Sequence, residues 1–441
     1  MEQDQRRRRL SWPDSPPEVL GQWASSSAAS RRWPTATVLA AGRRYRFGAI
    51  CRSWHAAERQ LPRRRQLPWL ALSLPSSPTA DRASFYSLSD EAVYRLPLPA
   101  GAGGVCAALA GSADDWLVVA HRDRGNFLVN LFTGATLPLP HQRTITRALT
   151  MGVVRREDNQ VVEYYPPRSQ RKPFIRKAVL SCAPSAGDPG RCIVAAVADS
   201  GELFFCRPGQ GSWRRPVKAA HDKFQDITFY NGKLYGMLWS RWLTSPPTMQ
   251  VFDLDEDTDQ LVESSDDEGI VDIYPEVEYQ PQPFSLYRQY CVESRGRLLM
   301  VGRYCWNYMD GTVGRTCSFK VYHREPVQPE GCPSPFDAWV ALESLDGEVL
   351  FVGGSGARSF AAAEHGVDSD CIYFADDHCQ EEGDTVPIIS CPSPDDPAET
   401  RPCRDIGKYC MRDGSVMYLK DLPYNERRSP PVWLYLSDQR R

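Results

Sequence analysis

The 441 residues are 42% hydrophobic and 24% charged, which excludes a wholly disordered chain and leaves room for more than one domain. No apolar run approaches the roughly 18 residues of a membrane helix, and the Arg-rich start lacks the apolar segment of a secretory signal. The net charge of −3 gives no global case for nucleic-acid binding, but it is unevenly spread: residues 1–70 hold 14 Arg, no Lys and 5 acids, a balance of +9, and the remainder balances at −12.

In chain order, residues 1–11 read as a disordered basic N-terminus. Residues 12–60 contain two candidate helices: one opens after Pro16 and Pro17, and the other runs from about Val38 to Gln60. Residues 61–68 read as a linker and 437–441 as a tail. From 69 to 436 the pattern changes to short β-forming runs separated by turns. Asn231-Gly232, between Asp226–Tyr230 and Lys233–Met237, is the strongest hairpin signal. Similar pairs fall at Phe85–Leu88 with Val93–Leu96, Asp115–Ala120 with Asn126–Asn130, and Cys192–Val197 with Glu202–Cys206. Later pairs are Tyr290–Ser294 with Leu298–Val301, Trp339–Leu342 with Val349–Val352, and Lys408–Met411 with Val416–Leu419. Such repetition predicts a mainly β fold of small antiparallel sheets arranged radially, a six- or seven-bladed β-propeller-like domain; a pair of β-sandwiches is the competing reading.

Catalytic motifs are missing from the sequence: it has no G-x-S-x-G, H-E-x-x-H, Walker A or Rossmann pattern, and Gly353-Gly354-Ser355-Gly356 reads as a turn. Asp255, Asp257, Asp259, Glu263 and Asp266 match calcium-loop spacing, but Gln260 takes the place of the required Gly. His365, Cys371, His378, Cys379, Cys391, Cys403 and Cys410 lack the close Cys pair that opens a zinc site. No cofactor and no metal are expected. The 14 scattered cysteines, without a C-x-x-C pair, read as free thiols in a reducing cytoplasmic or nuclear setting. Trp239, Trp242, Trp306 and Tyr308 fall in loop or strand-end segments, where aromatics either pack between blades or serve as anchors for a protein partner.

Trp12-Pro13-Asp14-Ser15-Pro16-Pro17-Glu18-Val19-Leu20 resembles the opening of an F-box, and Ala49-Ile50-Cys51-Arg52-Ser53-Trp54-His55 resembles its closing helix. Leu67–Leu72, Phe127–Gly134, Asp226–Tyr235 and Cys371–Phe374 are similar to segments of the C-terminal domain of a large plant F-box family, one that includes Kib-type kinase inhibitors. The resemblance implies a degenerate propeller behind a small α-helical F-box-like head at 12–60. It also implies a non-catalytic substrate receptor of a Skp1–cullin–F-box ubiquitin ligase; the charge balance and hydropathy point to no nucleic-acid or membrane partner. Pro16, Glu18, Val19, Leu20, Ile50, Cys51 and Trp54 would then meet the Skp1-type adaptor, and the propeller would hold an unknown target protein. Ser15 stands where the family has leucine, and Gly21–Pro34 lacks the usual Leu/Ile-rich helix. The alternative is a ligase-independent propeller scaffold with a vestigial F-box.

Overall fold

The computed structural model describes residues 67–436 except 74–81, 99–106, 146–152, 165–173, 218–223, 239–248, 265–283, 308–312, 328–335, 378–389, 393–399, 423–430 and a few shorter stretches. The F-box-like segment 12–60 lies outside the described residues.

Six blades surround one axis. Blade 1 holds β1 (Trp69–Ser73), β2 (Arg82–Ser87) and β3 (Ala92–Pro97). Blade 2 holds β4 (Ala107–Ala113), β5 (Trp116–His121), β6 (Gly125–Asn130) and β7 (Thr136–Leu139). A separate hairpin, β8 (Val153–Glu157) with β9 (Gln160–Tyr164), precedes blade 3, which is β10 (Ile175–Leu180), β11 (Val194–Ala198) and β12 (Leu203–Cys206). Blade 4 is β13 (Phe224–Tyr230), β14 (Lys233–Leu238), β15 (Met249–Asp255) and β16 (Gln260–Glu263). Blade 5 is β17 (Phe284–Ser294), β18 (Arg297–Asn307), β19 (Val313–Val327) and β20 (Phe336–Leu342). Blade 6 contains β21 (Glu348–Gly353), β22 (Gly356–Ala361), β23 (Cys371–Phe374), β26 (Gly407–Cys410) and β27 (Val416–Tyr418); a small hairpin, β24 (Ser390–Pro392) with β25 (Thr400–Pro402), interrupts it. The chain then returns to blade 1, where β28 (Val432–Leu434) pairs with β1.

That last pairing closes the ring, because β28 is the innermost strand of a blade whose other strands come from the start of the propeller. Closure removes the sheet edge that an open array would expose. The Trp433 indole N–H donates to the Val352 carbonyl at 2.9 Å and ties blade 1 to blade 6. β28, β4, β10, β13, β17 and β22 line the axis, each touching the next. The middle strands are buried on both faces: β5 (WLVVAH), β11 (VAAVA) and β21 (EVLFVG) show no exposed residue. That burial explains their near-continuous apolar sequences.

Turn chemistry sets most hairpins. Asn231 and Gly232 have φ of 48° and 79°, so both central residues take the left-handed form that a tight two-residue turn demands. Asp114 and Asp115 do the same without glycine, at 42° and 73°. Six of the hairpins expected from sequence are present as paired strands. The expected pairing of Trp339–Leu342 with Val349–Val352 is not formed. β20 ends blade 5 against β19, while β21 belongs to blade 6 and pairs with β22 and, in parallel, with β23. A short helix, α1 (Ala362–His365), makes the crossover that a parallel pair requires.

Asp370 explains this junction. Its carboxylate accepts hydrogen bonds from Leu345 N (2.7 Å), the Ser344 hydroxyl (2.9 Å) and Arg412 Nε (3.0 Å). The turn at Asp346-Gly347 is therefore held from blade 6 through Asp370 and from blade 5 by Arg295 and Arg297, which donate to Asp346 at 2.6 and 2.8 Å. Burial alone would push the Asp370 carboxyl up, but its donors outweigh that and hold it below the ordinary carboxylate range. A folded value below the unfolded one stabilises the protein above the unfolded pKa, and that contribution fades as pH falls through the folded value. Asp370→Asn is accordingly expected to cost about 1–3 kcal/mol at pH 7. The gap to wild type should shrink below about pH 3.9. Urea unfolding of both proteins across pH checks this; a gap that stays constant into acid contradicts it.

Candidate functional site

The innermost strands begin at one face of the propeller, here called lower, and end at the other, called upper. Blade 5 departs from the rest at the lower face. Its first three strands run 11, 11 and 15 residues, whereas every strand of the other blades has 3 to 7. At roughly 3.3 Å per residue, β17 and β18 each span about 36 Å, longer than any described strand of the other blades.

Side-chain alternation along β18 decides what this end presents on each face. Met300 packs in the core against blade 4, whereas Val301 packs with blade 6. Farther along, the Met300 face continues as Gly302, Tyr304 and Trp306, in line with a period of two. Phe284 stands opposite Trp306 and meets it edge-on at 6.3 Å; it meets Tyr304 edge-on at 6.1 Å. The Lys320 ammonium lies 5.6 Å from the Tyr304 ring centre. Trp306 is 43% exposed, one of few large apolar side chains so placed among the described residues. An aromatic held rigidly by its neighbours and left open to solvent loses little entropy on contact with a partner.

The opposite face of the same strand is polar and sealed. Arg303 is fully buried. It donates through Nη2 to the Asp405 carboxylate at 2.8 Å, through Nε to the Thr316 hydroxyl at 2.7 Å and through Nη1 to the Ala375 carbonyl at 2.8 Å. Asp405 also accepts from Thr316 N at 3.1 Å. Asp377 completes the cluster: the Tyr290 hydroxyl and Gly354 N donate to it, and the Arg303 and Arg288 guanidinium groups lie 3.3 and 3.6 Å away. Burial, then the Asp377 charge, raises the Tyr290 phenol well above its usual value. Burial likewise pushes the Cys305 thiol up to about 12. Neither group is tuned to act as an acid, base or nucleophile near neutral pH. The cluster clamps blade 5 to blade 6. A lone Arg inside the apolar run Leu298–Cys305 was its only trace in the sequence.

Of the four aromatics expected to hold a target, only Trp306 is described. Trp239 and Trp242, which follow β14, and Tyr308, which follows β18, lie outside the described residues. So do the adaptor candidates Pro16, Glu18, Val19, Leu20, Ile50, Cys51 and Trp54. The acidic β15–β16 turn is internally engaged. Asp255 accepts from Asp257 N and from the Thr258 hydroxyl, and Asp259 pairs with Arg207 and Arg214 at 2.7 and 2.6 Å. His365 packs edge-on to Phe360, while Cys371 faces Cys410 across β23 and β26. No group of three or more potential metal ligands converges among the described residues.

Residues 85–409 match the KIB1-4 beta-propeller family, which spans well over half of the chain. The chain belongs to the KIB1-4 beta-propeller family. The match does not extend to the F-box-like segment. No curated protein matches the chain. Among solved structures, it is similar to a quinonprotein alcohol dehydrogenase-like protein from Bacteroides thetaiotaomicron, with 10% identity, TM-score 0.31, and coverage of 80% of this chain and 74% of that one. It is also similar to the N-terminal domain of Nup159, with 11% identity, TM-score 0.29 and 63% coverage of each chain. For the computationally designed Ika8 protein the values are 12% identity and TM-score 0.24; the aligned part is 60% of this chain and 63% of Ika8, less than two thirds of its length. Likeness at this level transfers no function. Among the described residues, no helix is long and apolar enough to cross a membrane.

Proposed function

We propose that this KIB1-4 propeller is the target-binding part of a non-catalytic receptor subunit of a Skp1–cullin–F-box ubiquitin ligase. The observation that carries the target-binding half is the lower end of the long blade 5 strands, with Trp306 braced by Phe284 and open to solvent. The ligase half rests on the F-box-like segments around Leu20 and Trp54. Such a subunit performs no bond chemistry; it raises the effective concentration of the target beside the ubiquitin carrier. The departures at Ser15 and Gly21–Pro34 favour a second reading, a ligase-independent regulator that uses the same propeller surface.

Capture of a purified Skp1-type adaptor separates the two. Wild type is expected to retain the adaptor, and a Leu20→Asp/Trp54→Ala double variant to lose it. Failure of a folded wild type to bind leaves the regulator reading. Trp306→Ala is expected to destabilise by about 0.5–1.5 kcal/mol, the worth of its edge-on contact with Phe284, and to leave the fold intact. The same variant should keep the adaptor and weaken target association by at least about 2 kcal/mol, roughly 30-fold. Unchanged target association would remove blade 5 from the binding surface.

A further inference from the structure

The described cysteines all carry free thiols, yet two of them are positioned to join. β10 and β11 pair with Leu180 opposite Val194. The ladder continues one step past β10: Ser181 N donates to the Ile193 carbonyl at 2.9 Å, and Ile193 N donates back to the Ser181 hydroxyl at 2.9 Å. The next opposed positions are Cys182 and Cys192. Continuing the register of Leu180 opposite Val194 sets Cys182 against Cys192, and directly opposed Cα atoms of antiparallel strands lie about 4.5–5.5 Å apart. A disulfide spans Cα separations of roughly 4.4–6.8 Å. The Cys192 thiol donates to the Cys182 carbonyl oxygen at 3.0 Å, and its sulfur also interacts with the Cys182 side chain.

The two thiols differ in access. Cys182 is exposed and Cys192 is buried. Burial, followed by the neighbouring Cys182, pushes the Cys192 thiol up to about 12, so it is not the group that reacts first. An accessible attacking thiol beside a shielded one is the arrangement of a redox-sensing pair.

We infer that Cys182 and Cys192 form a redox modification site on the upper face of blade 3, oxidised by a low-molecular-weight disulfide such as oxidised glutathione. The Cys182 thiolate attacks one glutathione sulfur, the glutathione S–S bond breaks, and one glutathione thiolate leaves. The Cys192 thiolate then attacks Cys182 Sγ, forms the Cys182–Cys192 bond and expels the second glutathione. The two protein thiols lose two electrons; one oxidised glutathione gains them, and the two thiol protons end on the released glutathione molecules. The bond would close the connection between β10 and β11, which Arg207 already grips through the carbonyls of Gly190 (2.6 Å) and Arg191 (3.1 Å).

Cys371 and Cys410 provide an internal comparison. They are also opposed across two strands, but Cys371 is buried and Cys410 only partly open, so neither offers an exposed sulfur. The test treats the folded full chain with oxidised glutathione, blocks remaining thiols with N-ethylmaleimide and digests with trypsin. Cleavage after Arg191 places Cys182 and Cys192 on separate peptides. The expected result is loss of both alkylatable thiols and a peptide pair joined through Cys182 and Cys192, reversed by dithiothreitol. Cys192→Ser should stop at a glutathione adduct on Cys182, and Cys182→Ser should show neither adduct nor link. A folded wild type with glutathione left on Cys182, a link from Cys192 to Cys206, or a Cys371–Cys410 link formed without Cys182–Cys192 would each overturn the inference.

Discussion

Arg303→Leu is expected to destabilise the propeller by about 3–5 kcal/mol, the cost of breaking a buried ion pair from one side. The side chains of Arg303, Asp377 and Asp405 are all 0% exposed. Removing the guanidinium leaves the buried Asp405 carboxylate without a cation, leaves Asp377 only Arg288 as a counter-charge, and deletes the contacts to Thr316, Tyr290 and the carbonyls of Ala375 and Asp405. It also removes the cation that lies 5.0 Å from the Phe374 ring centre. Leucine fills the volume but supplies no donor. Adding Asp405→Asn should recover part of the loss, because one uncompensated charge disappears; the two changes share partners and will not be additive. Urea unfolding of wild type, both single variants and the double variant measures the coupling. An Arg303→Leu midpoint equivalent to less than about 1 kcal/mol of destabilisation would show that the cluster is not the clamp between blades 5 and 6.

This clamp also marks the limit of what the sequence discloses. Hairpins such as Asn231-Gly232 were legible because the turn, the two strands and the left-handed residues are all local. Trp306 was legible as an aromatic near a strand end. The partners of Arg303 were not, since Asp405 lies 102 residues away and nothing near either residue announces the other. The blade 5–blade 6 boundary misled for a related reason. Asp346 and Gly347 carry φ of 55° and 89°, the local marks of a hairpin turn. Their pairing is decided instead by Asp370, which reaches back 25 residues to Leu345 N. Ring closure by β28 is likewise a pairing between opposite ends of the domain, beyond any local signal. Blade number stayed open between six and seven because the acidic insertion after β16 and the irregular blade 6 spoil an even spacing.

Gly111→Ala is expected to be the most damaging single-methyl addition at the axis, at about 3 kcal/mol or more, with loss of soluble protein as the extreme outcome. A Cβ at Gly111 would sit 2.0 Å from the Ala178 carbonyl oxygen and 3.0 Å from its carbon. Those atoms are backbone of the neighbouring innermost strand β10, so no rotamer change relieves the clash; β4 and β10 would have to separate. The irregularity in β4 between Leu109 and Gly111 is where this close approach occurs. Gly302→Ala is the control. Its Cβ would meet the end of the Leu286 side chain at 3.2 Å, which can move, so a change within about 1 kcal/mol is expected. Thermal and urea unfolding of the two variants side by side measure the difference. If Gly111→Ala is as mild as Gly302→Ala, the innermost strands do not approach as described. If it is severe, backbone contact rather than side chains closes the centre between blades 2 and 3, which leaves the faces and edges of the blades, Trp306 among them, as the surfaces on which a protein partner can bind.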